Sequence, residues 1–419
     1  VEAHGAWYRL SQTVMRWPVP VALAVIAVLL LLGSPFLRAN FATSDVRALP
    51  VGQPVRVASE RLSSDFAQRG AAQLVIAVRA PGDALADANL ASLDTYVRQI
   101  EALPGVVHVV SLVTADPSLA LTQYQQQYAD LSANPQLAAV ASQLASGDTT
   151  SITVALQSAE QSAATQQLVR DIRAMHAPGG LVALVGGFTA YQMDLFASLR
   201  KTLPWAGLVI VLAMFVLLFL MTGSLVMPLK AIVLNTLSLT ATFGALVWIF
   251  QDGHLQHVLG FQSAGNLDAT QPVLIFAIAF GLSMDYEVFL LSRIKEQFDA
   301  TGDNRVAVAT GLQRTGRLIT SAALLLAVVS GAFAISAIVF IKMIGVGLAI
   351  AVLMDATLVR ALLVPATMRL LGDWNWWAPR PLRALWRRVG FGESLPPTTA
   401  PTPADKVSSL TGAGSAAQD

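Results

Sequence analysis

Six apolar stretches of about twenty residues each constrain the fold of this chain more than any other feature of its sequence. They occupy residues 19–36, 203–221, 227–250, 272–291, 318–339 and 343–364. A helix of about 20 apolar residues is long enough to cross the hydrocarbon core of a bilayer. A helix also satisfies its own backbone hydrogen bonds there, which an irregular segment does not. The sequence therefore predicts a polytopic α-helical membrane protein with six spans.

The composition supports this fold class. Hydrophobic residues make up 54% of the 419 residues and charged residues only 13%, and the mean hydropathy is +0.58. These values lie outside the range of ordinary soluble domains. The chain contains no cysteine, so a disulfide framework and a cysteine-based metal or redox site are excluded. We predict no nucleic-acid partner.

The distribution of Lys and Arg predicts the orientation in the membrane. Short segments rich in these residues stay on the cytoplasmic side, and here they precede the first span, separate the fourth from the fifth and follow the sixth. A secretory signal is disfavoured because the first apolar run is longer than a usual h-region. The predicted organisation is a cytoplasmic interfacial segment (1–17), the first span (18–37), an extracytoplasmic domain (38–201), a five-helix bundle (202–371) and a cytoplasmic basic segment with a disordered tail (372–419).

The large segment between the first two spans has the patterns of a folded α+β domain. Strands are predicted at 73–78, 106–113, 151–156 and 181–185, and helices at 85–103, 159–175 and 189–200. A Gln/Ala-rich helical insert covers 119–144. Two strand–helix–strand units joined by such an insert predict a ferredoxin-like (split βαβ) sandwich with right-handed crossovers.

Two aspartates interrupt the apolar spans. A charged side chain within a span costs roughly 2.5–3.5 kcal/mol on insertion scales, so Asp285 and Asp355 are candidate functional residues. Both lie at similar depth in helices that run in the same direction, and each ends a series of small residues in steps of four. The two series are Ala277, Gly281, Asp285 and Gly347, Ala351, Asp355. Because small residues let a neighbouring helix approach closely, we expect both carboxylates to point into the bundle.

Two desolvated carboxylates held close together would not both stay ionised, which allows proton uptake near neutral pH. The pattern therefore predicts a proton relay. The hydroxyl groups that could support it are those of Ser283, Tyr286, Ser321, Ser330 and Thr357. Arg360 follows Asp355 by five residues, which places the two side chains about 140° apart on an ideal helix. The sequence therefore does not decide whether they form an ion pair. The alternative is that each aspartate is neutralised by a structural partner such as Arg360.

Other polar residues are given structural interpretations. Glu287 is expected to face water or lipid headgroups, and Lys230 and Lys342 to extend from helix ends to the membrane surface. His254 and His257 have the i, i+3 spacing of a weak metal-type pair, but no metal site is predicted.

The motif formed by Gly281, Asp285 and Tyr286 resembles the Gly-x-x-x-Asp-Tyr motif of the MMPL group within the resistance–nodulation–division (RND) superfamily. The segment 342–366 resembles the same family, with Asp355 and Arg360 at matching positions. The order of one span, a large domain and five spans also fits, to about residue 372. The resemblance implies that Asp285 and Tyr286 form one side of a proton-relay pair, supported by Asp355 and Arg360. It also implies that the proton gradient drives transport, without a cofactor.

The resemblance further implies that the chain corresponds to the C-terminal one of two six-span RND halves, with its large domain acting as a porter domain. The N-terminal half would come from the same protein or from another chain. The expected function is export of a cell-envelope lipid or glycolipid across the actinobacterial plasma membrane, with trehalose-mycolate transporters as the nearest type. Expected partners are membrane lipids, an amphiphilic lipid substrate and the other half; a second copy of the chain and accessory envelope proteins are further candidates.

Three alternatives stay open from the sequence. A protein-export auxiliary of the SecDF kind shares the six-span layout, although the domain here is larger and richer in helix. An intramembrane aspartyl protease would also place two aspartates at one depth, but it would be expected to carry Gly-x-Gly-Asp, whereas residues 281–285 read GLSMD. A lipid-sensing membrane protein without transport is the third. No enzymatic activity is predicted.

Overall fold

The computed structural model describes residues 5–43, 46–50, 52–65, 73–132, 134–160 and 162–389. The predicted disordered tail lies outside this part of the chain from residue 390 onward. Within the described residues, six helices are long and apolar enough to cross a membrane. In chain order, the first to the sixth span are Pro18–Arg38, Phe188–Thr222, Val226–Gln251, Thr270–Thr301, Asn304–Phe333 and Val339–Trp376. The prediction of a multi-pass helical protein is confirmed.

The regular elements follow one another as helices with a few short strands. The strands are β1 Phe41–Ala42, β2 Gln73–Arg79, β3 Val106–Val110, β4 Ala145–Ser146, β5 Thr149–Leu156, β6 Val182–Gly186 and β7 Leu267–Asp268. The helices are α1 Ala6–Arg16, α2 Pro18–Gly33, α3 Pro54–Asp65, α4 Asp87–Glu101, α5 Leu121–Ala129, α6 Pro135–Leu144, α7 Ala163–Ala174, α8 Phe188–Thr222, α9 Val226–Leu246, α10 Gln256–Leu259, α11 Thr270–Thr301, α12 Asn304–Phe333, α13 Val339–Met354, α14 Val364–Leu371 and α15 Arg380–Val389. Short 3₁₀ turns occupy Ser34–Arg38, Val46–Ala48 and Gly372–Trp376, and π-helical segments occupy Val247–Gln251 and Asp355–Leu363.

The α/β domain is organised around strand β2. Its side chains alternate, so that Leu74, Ile76 and Val78 are fully buried while their neighbours are exposed, as expected for a strand with one covered face. The main sheet has the order β3-β5-β2-β6, with antiparallel neighbours throughout, and β4 pairs with β5. Helices α4 and α7 contribute buried residues to the same core. The predicted helical insert consists of two helices, α5 and α6.

Several boundaries differ from the sequence-based expectation. The helix predicted at 189–200 and the span at 203–221 are one continuous helix, α8, which passes through Pro204. Its 35 residues correspond to a length of about 52 Å. The fifth span ends at Phe333 instead of continuing to residue 339. The predicted boundary between domain and bundle at residue 201 therefore falls inside a helix that belongs to both.

The N-terminal helix α1 packs on the bundle. The Tyr8 N–H donates to Oε1 of Gln313 on α12 at 2.9 Å, and the ring of Trp7 lies directly against Gly316. The exposed Arg305 donates to Gln12 at 3.1 Å. Helix α1 is therefore attached to the fifth span as well as being amphipathic.

Helices α2 and α9 approach each other closely at Gly244. A β-carbon placed on Gly244 would lie 2.0 Å from the Leu32 carbonyl oxygen and 2.7 Å from the Gly33 Cα. Only a residue without a side chain fits there, because the neighbouring atoms are backbone. This is the close packing through small residues that membrane helices use in place of a hydrophobic driving force.

We expect Gly244→Ala to destabilise the bundle by about 1–3 kcal/mol, because a methyl group forces two helix backbones apart. Thermal unfolding of the purified protein in detergent, followed by tryptophan fluorescence, measures the effect. The matched control is Gly207→Ala in the second span, where a β-carbon meets open space. Equal melting temperatures for the two variants would contradict the close contact.

Candidate intramembrane polar site

The centre of the site is an ion pair inside the sixth span. Arg360 Nε donates to Asp355 Oδ2 at 2.7 Å. The two residues are only 2% and 7% exposed, respectively. An ion pair buried to this degree is stable only when both partners keep good geometry and further hydrogen bonds. This arrangement explains how two charged residues are accommodated in a membrane helix.

A π-helical segment makes this pair. Residues Asp355–Leu363 hydrogen-bond in the i to i+5 pattern, which brings residues five apart almost above one another. In a regular α-helix they would be about 140° apart. Pro365 lies two residues after the end of this segment and has no N–H to donate to the preceding turn. The ion pair left open by the sequence therefore forms through a local change of helix type.

Ser283 links the fourth span to this pair. Its Oγ lies 2.9 Å from Asp355 Oδ1 and 2.7 Å from Asn235 Oδ1 on the third span, so its single hydroxyl proton serves either acceptor. Arg360 Nη2 donates to the Ser283 carbonyl oxygen. Three spans are thus joined through one serine. The predicted role of Ser283 as a hydroxyl that supports a proton relay stays a prediction.

Glu287 extends the polar cluster by one helical turn. It is 4% exposed and accepts from Asn235 Nδ2 at 3.4 Å, and it interacts electrostatically with Arg360 and Lys230. Its second oxygen, Oε1, has no hydrogen-bond partner within the described residues. The expectation that Glu287 faces water was wrong, because four residues after Ser283 it lies on the same inward face of the helix.

The expectation that Lys230 extends to the membrane surface was also wrong. It is 8% exposed, and its Nζ lies 3.6 Å from the Met227 sulfur instead of extending to the membrane surface. Lys342, the other lysine expected to extend outward, is buried as well and donates to the carbonyl oxygens of Leu259 and Gly260. Lys230 is thus covered within the bundle, and Lys342 is covered by the segment around α10.

A small polar cavity lies beside the ion pair. Its volume is about 10 Å³, near the lower limit for one water molecule. Its lining residues are Asn235, Ser238, Leu239, Ala279, Ser283, Ala351 and Asp355. Since several of these carry hydrogen-bonding groups, the cavity has the chemistry of a hydration site between the third, fourth and sixth spans.

The face of Asp285 points away from this cluster, which corrects the prediction that both aspartates point into the bundle. Ala277, Gly281 and Asp285 are all exposed, and a β-carbon on Gly281 would meet open space. The physical reason is the helical period: Asp285 is about 200° from Ser283 and from Glu287 on α11, whose side chains face inward. The two aspartates are therefore on different sides of the fourth span.

Tyr286 lies between the two faces. It is half-buried, and the Arg360 guanidinium lies 5.6 Å from its ring centroid, within cation–π distance. Its neighbour Asp285 has no such contact with the Asp355–Arg360 pair. Tyr286 is thus next to the exposed Asp285 in sequence, and its ring contacts Arg360 of the buried cluster.

The remaining predicted polar residues are not brought together. Ser321 and Thr357 are exposed and donate to carbonyl oxygens of their own helices. Ser330 is buried, and its backbone carbonyl oxygen lies close to Gly345. The small residues of the second series behave as predicted: Gly347 contacts Ile275 and Leu246 closely, and Ala351 is buried.

The two histidines have separate environments. The ring of His254 stacks on Trp248 at 4.5 Å and its Nδ1 lies 2.9 Å from the Trp248 carbonyl oxygen. His257 lines a cavity at the end of the bundle nearest the α/β domain. The described residues hold no group of three or more His, Cys, Asp or Glu side chains arranged for a metal ion.

Fold and site define a multi-pass membrane protein whose spans enclose a charged network and whose segment after the first span folds as an α/β domain. The chain belongs to the MMPL family, whose model matches residues 47–398. The resemblance inferred from Asp285, Tyr286, Asp355 and Arg360 is thereby confirmed.

Relatives agree with this assignment. The chain is 50% identical over 246 residues to a membrane protein of Streptomyces coelicolor, covering 58% of this chain and 34% of that protein. It is 33% identical over 391 residues to the trehalose monomycolate exporter MmpL3 of Mycolicibacterium smegmatis, covering 93% of this chain and 36% of the exporter. The mycolic acid-containing lipids exporter MmpL11 of the same organism is 32% identical over 396 residues, with 93% and 38% covered. The chain thus spans little more than a third of the length of these relatives.

We expect Arg360→Gln to cost about 3–5 kcal/mol of stability, because it leaves the Asp355 carboxylate buried without its cation. The double variant Asp355→Asn/Arg360→Gln should lose less than the sum of the two single changes, since neither charge is then left unpaired. Equilibrium unfolding of all three variants gives the coupling free energy. The matched control is the exposed pair Arg79–Asp148, joined at 2.8 Å, whose cycle should show little coupling. An additive result for Asp355 and Arg360 would contradict the ion pair.

Proposed function

We propose that this chain is one six-span half of a proton-driven exporter of a cell-envelope lipid or glycolipid. Family membership and the names of the relatives MmpL3 and MmpL11 support lipid export. The other half would be supplied by a further segment of the same protein or by another chain. The energy source in this proposal is the proton gradient, with Asp285 as the group that takes up and releases the proton.

One observation carries the proposal: the exposed face of the fourth span that ends in Asp285. An ionisable group facing lipid at this depth would be costly, and such residues normally face protein or a water-filled cavity. The same face carries Ala277 and Gly281, which permit a close backbone approach. This face therefore has the features expected of a contact with a second helix bundle: small residues for close packing and a carboxylate that needs protein or water around it.

The two sides of the fourth span then have different tasks. On the inner side, Asp355 and Ser283 are held by Arg360 and Asn235 in a network that keeps the span in place. On the outer side, Asp285 and Tyr286 meet the partner half. Protonation of Asp285 removes a charge from that contact and lets the halves shift relative to each other, with Tyr286 transmitting the change to Arg360 through the ring contact.

Helix α8 offers a route from the membrane to the α/β domain. It is continuous from Phe188 to Thr222, contacts β2 and β6 at one end, and crosses the bilayer with the other. We propose that the domain is a ferredoxin-like porter domain; the β3-β5-β2-β6 order, with β2 and β5 at the centre, supports this. Movement of the second span would then displace the sheet directly.

A groove between α7 and α8 has the chemistry to hold an amphiphile. Its volume is about 560 Å³. Met193 and Phe196 supply apolar surface, and Arg200 and Lys201 are exposed cations just before the membrane-crossing part of α8. Gln192 is buried and its Nε2 has no partner within the described residues. The groove combines surface for an acyl chain with donors for a polar headgroup.

The proposed location is the plasma membrane, with the α/β domain outside. The support is the positive-inside distribution: Arg293, Lys295 and Arg305 lie at the opposite end of the bundle from the α/β domain, as do the arginines of α15. The protease alternative loses its geometric basis, because Asp285 and Asp355 lie on different sides of the fourth span. No observation favours the SecDF-type or lipid-sensing alternatives over export.

We expect Asp285→Asn to abolish proton-coupled lipid export while leaving insertion and stability unchanged, because the exposed carboxylate makes no contact within the described chain that folding depends on. Export is measured in proteoliposomes that contain both halves, with an imposed proton gradient and a fluorescent glycolipid. The matched control, Asp299→Asn on the same helix, removes an exposed carboxylate near the end of α11 and should retain export. Gradient-dependent export by Asp285→Asn at the wild-type rate would contradict the proposal.

We expect Ala197→Trp to reduce export at least several-fold, because the indole fills the groove beside Phe196. Gradient-driven proton uptake without lipid should persist, since the substitution is remote from Asp285. Ala164→Trp, at an exposed position of α7 outside the groove, is the control. If both tryptophan variants exported at the wild-type rate, the amphiphile would have to pass elsewhere.

A further inference from the structure

Helix α15, Arg380–Val389, separates charge from apolar surface almost completely. Arg380, Arg383, Arg387 and Arg388 cluster on one side of its helical wheel, and the opposite side carries Leu382, Leu385, Trp386 and Val389. All four arginines are exposed, and so are Leu385 and Val389. A short helix with a basic face and an aromatic-aliphatic face is the composition of a segment that lies in a membrane interface.

The structure fixes this helix at the end of the bundle opposite the α/β domain. Trp386 Nε1 donates to the Leu220 carbonyl oxygen of α8 at 2.8 Å, and its indole packs on Gly223 in the turn between the second and third spans. The Lys295 ammonium on α11 lies 5.7 Å from the Trp386 ring centroid. The helix is therefore held against the ends of the second and fourth spans.

The segment leading into α15 is anchored as well. Ser224 Oγ donates to the Asn375 carbonyl oxygen at 2.6 Å, and the Leu225 N–H donates to the Trp377 carbonyl oxygen at 3.1 Å. Asn375 Nδ2 in turn donates to the Met368 carbonyl oxygen at 2.8 Å. The side chains of Trp374 and Trp377 remain exposed. Such exposed tryptophans are typical of the boundary between lipid headgroups and acyl chains.

The four arginines of α15 have no carboxylate partner in the part of the chain that the structure describes. Other arginines at this end of the bundle do: Arg293 pairs with Glu296 at 2.7 Å, for example. The guanidinium groups of α15 are thus available for anions outside the protein, and guanidinium matches the geometry of a phosphate.

We propose that α15 is a binding surface for anionic phospholipids of the leaflet at this end of the bundle, the inner leaflet in the orientation proposed above. Leu385, Val389, Trp374 and Trp377 enter the headgroup–acyl boundary, and the four arginines bind the lipid phosphates. Trp386 and Lys295 connect α15 to the second and fourth spans. The bound lipids therefore lie next to α8, which reaches the α/β domain, and next to α11, which carries Asp285. This surface is separate from the intramembrane cluster and from the groove of the α/β domain.

The lipid selectivity of the full chain tests whether the four arginines bind lipid phosphates. The protein is purified from membranes that contain phosphatidylcholine and phosphatidylglycerol, and native mass spectrometry measures the ratio of the two lipids retained. Each Arg→Gln change in α15 should lower the phosphatidylglycerol preference about fivefold at low ionic strength. Replacing all four arginines by Lys keeps the charge and should keep most of the preference. Arg79→Gln in the α/β domain controls for loss of net charge. An unchanged lipid ratio in the fourfold Arg→Gln variant would overturn the proposal.

Nitroxide labelling tests whether the apolar face of α15 enters the bilayer. The chain has no cysteine, so Val389→Cys and Ala384→Cys each give a single label in this chain, on the apolar and the basic face respectively. In nanodiscs that contain phosphatidylglycerol, the label at Val389 should relax faster with oxygen than with a water-soluble nickel chelate, and the label at Ala384 should show the reverse. A Val389 label that reaches the nickel chelate freely, or one shielded from both reagents by protein, would overturn the proposal.

Discussion

The free-energy cost of charge in hydrocarbon governs the structure of this membrane bundle. Asp355 and Arg360 are tolerated because a π-helical segment brings them to 2.7 Å and because Ser283 makes further hydrogen bonds with both residues. Asn235 extends the network through Ser283. The third, fourth and sixth spans meet at this cluster. The ion pair contacts α11 through Ser283, so it holds the inward face of the fourth span against the sixth span.

The orientation of α11 gives different environments to Asp285 and Asp355, two carboxylates that look equivalent in the sequence. Asp355 is buried and paired with Arg360, which favours a structural role for this carboxylate. Asp285 lies on an exposed face with Ala277 and Gly281, so it is available to a second set of helices. The chain spans little more than a third of the length of its MMPL relatives. Glu287 lies on the inward face of the fourth span and accepts a hydrogen bond from Asn235.

The sequence predicted what depends on local composition and missed what depends on packing. Apolar runs and turn residues were enough to place six spans and the strands of the α/β domain. The small-residue series of Ala277 and Gly281 could not reveal whether its face meets its own bundle or another one, because α11 is apolar on most sides. The Asp355–Arg360 pair depends on a π-helical segment that no regular helical period predicts. Helix α8 continues through Pro204, although proline removes one backbone hydrogen bond, so the sequence rule that places a break at proline failed here.

The central claim is that the face of Asp285 contacts another helical half. Incorporating a photoreactive benzoylphenylalanine at Ala277 in the assembled transporter tests it directly, with Leu212 on the exposed face of the second span as a lipid-facing reference. The account predicts that illumination attaches Ala277 to a peptide of the partner half, while Leu212 attaches mainly to lipid. Attachment of both positions to lipid alone would contradict it.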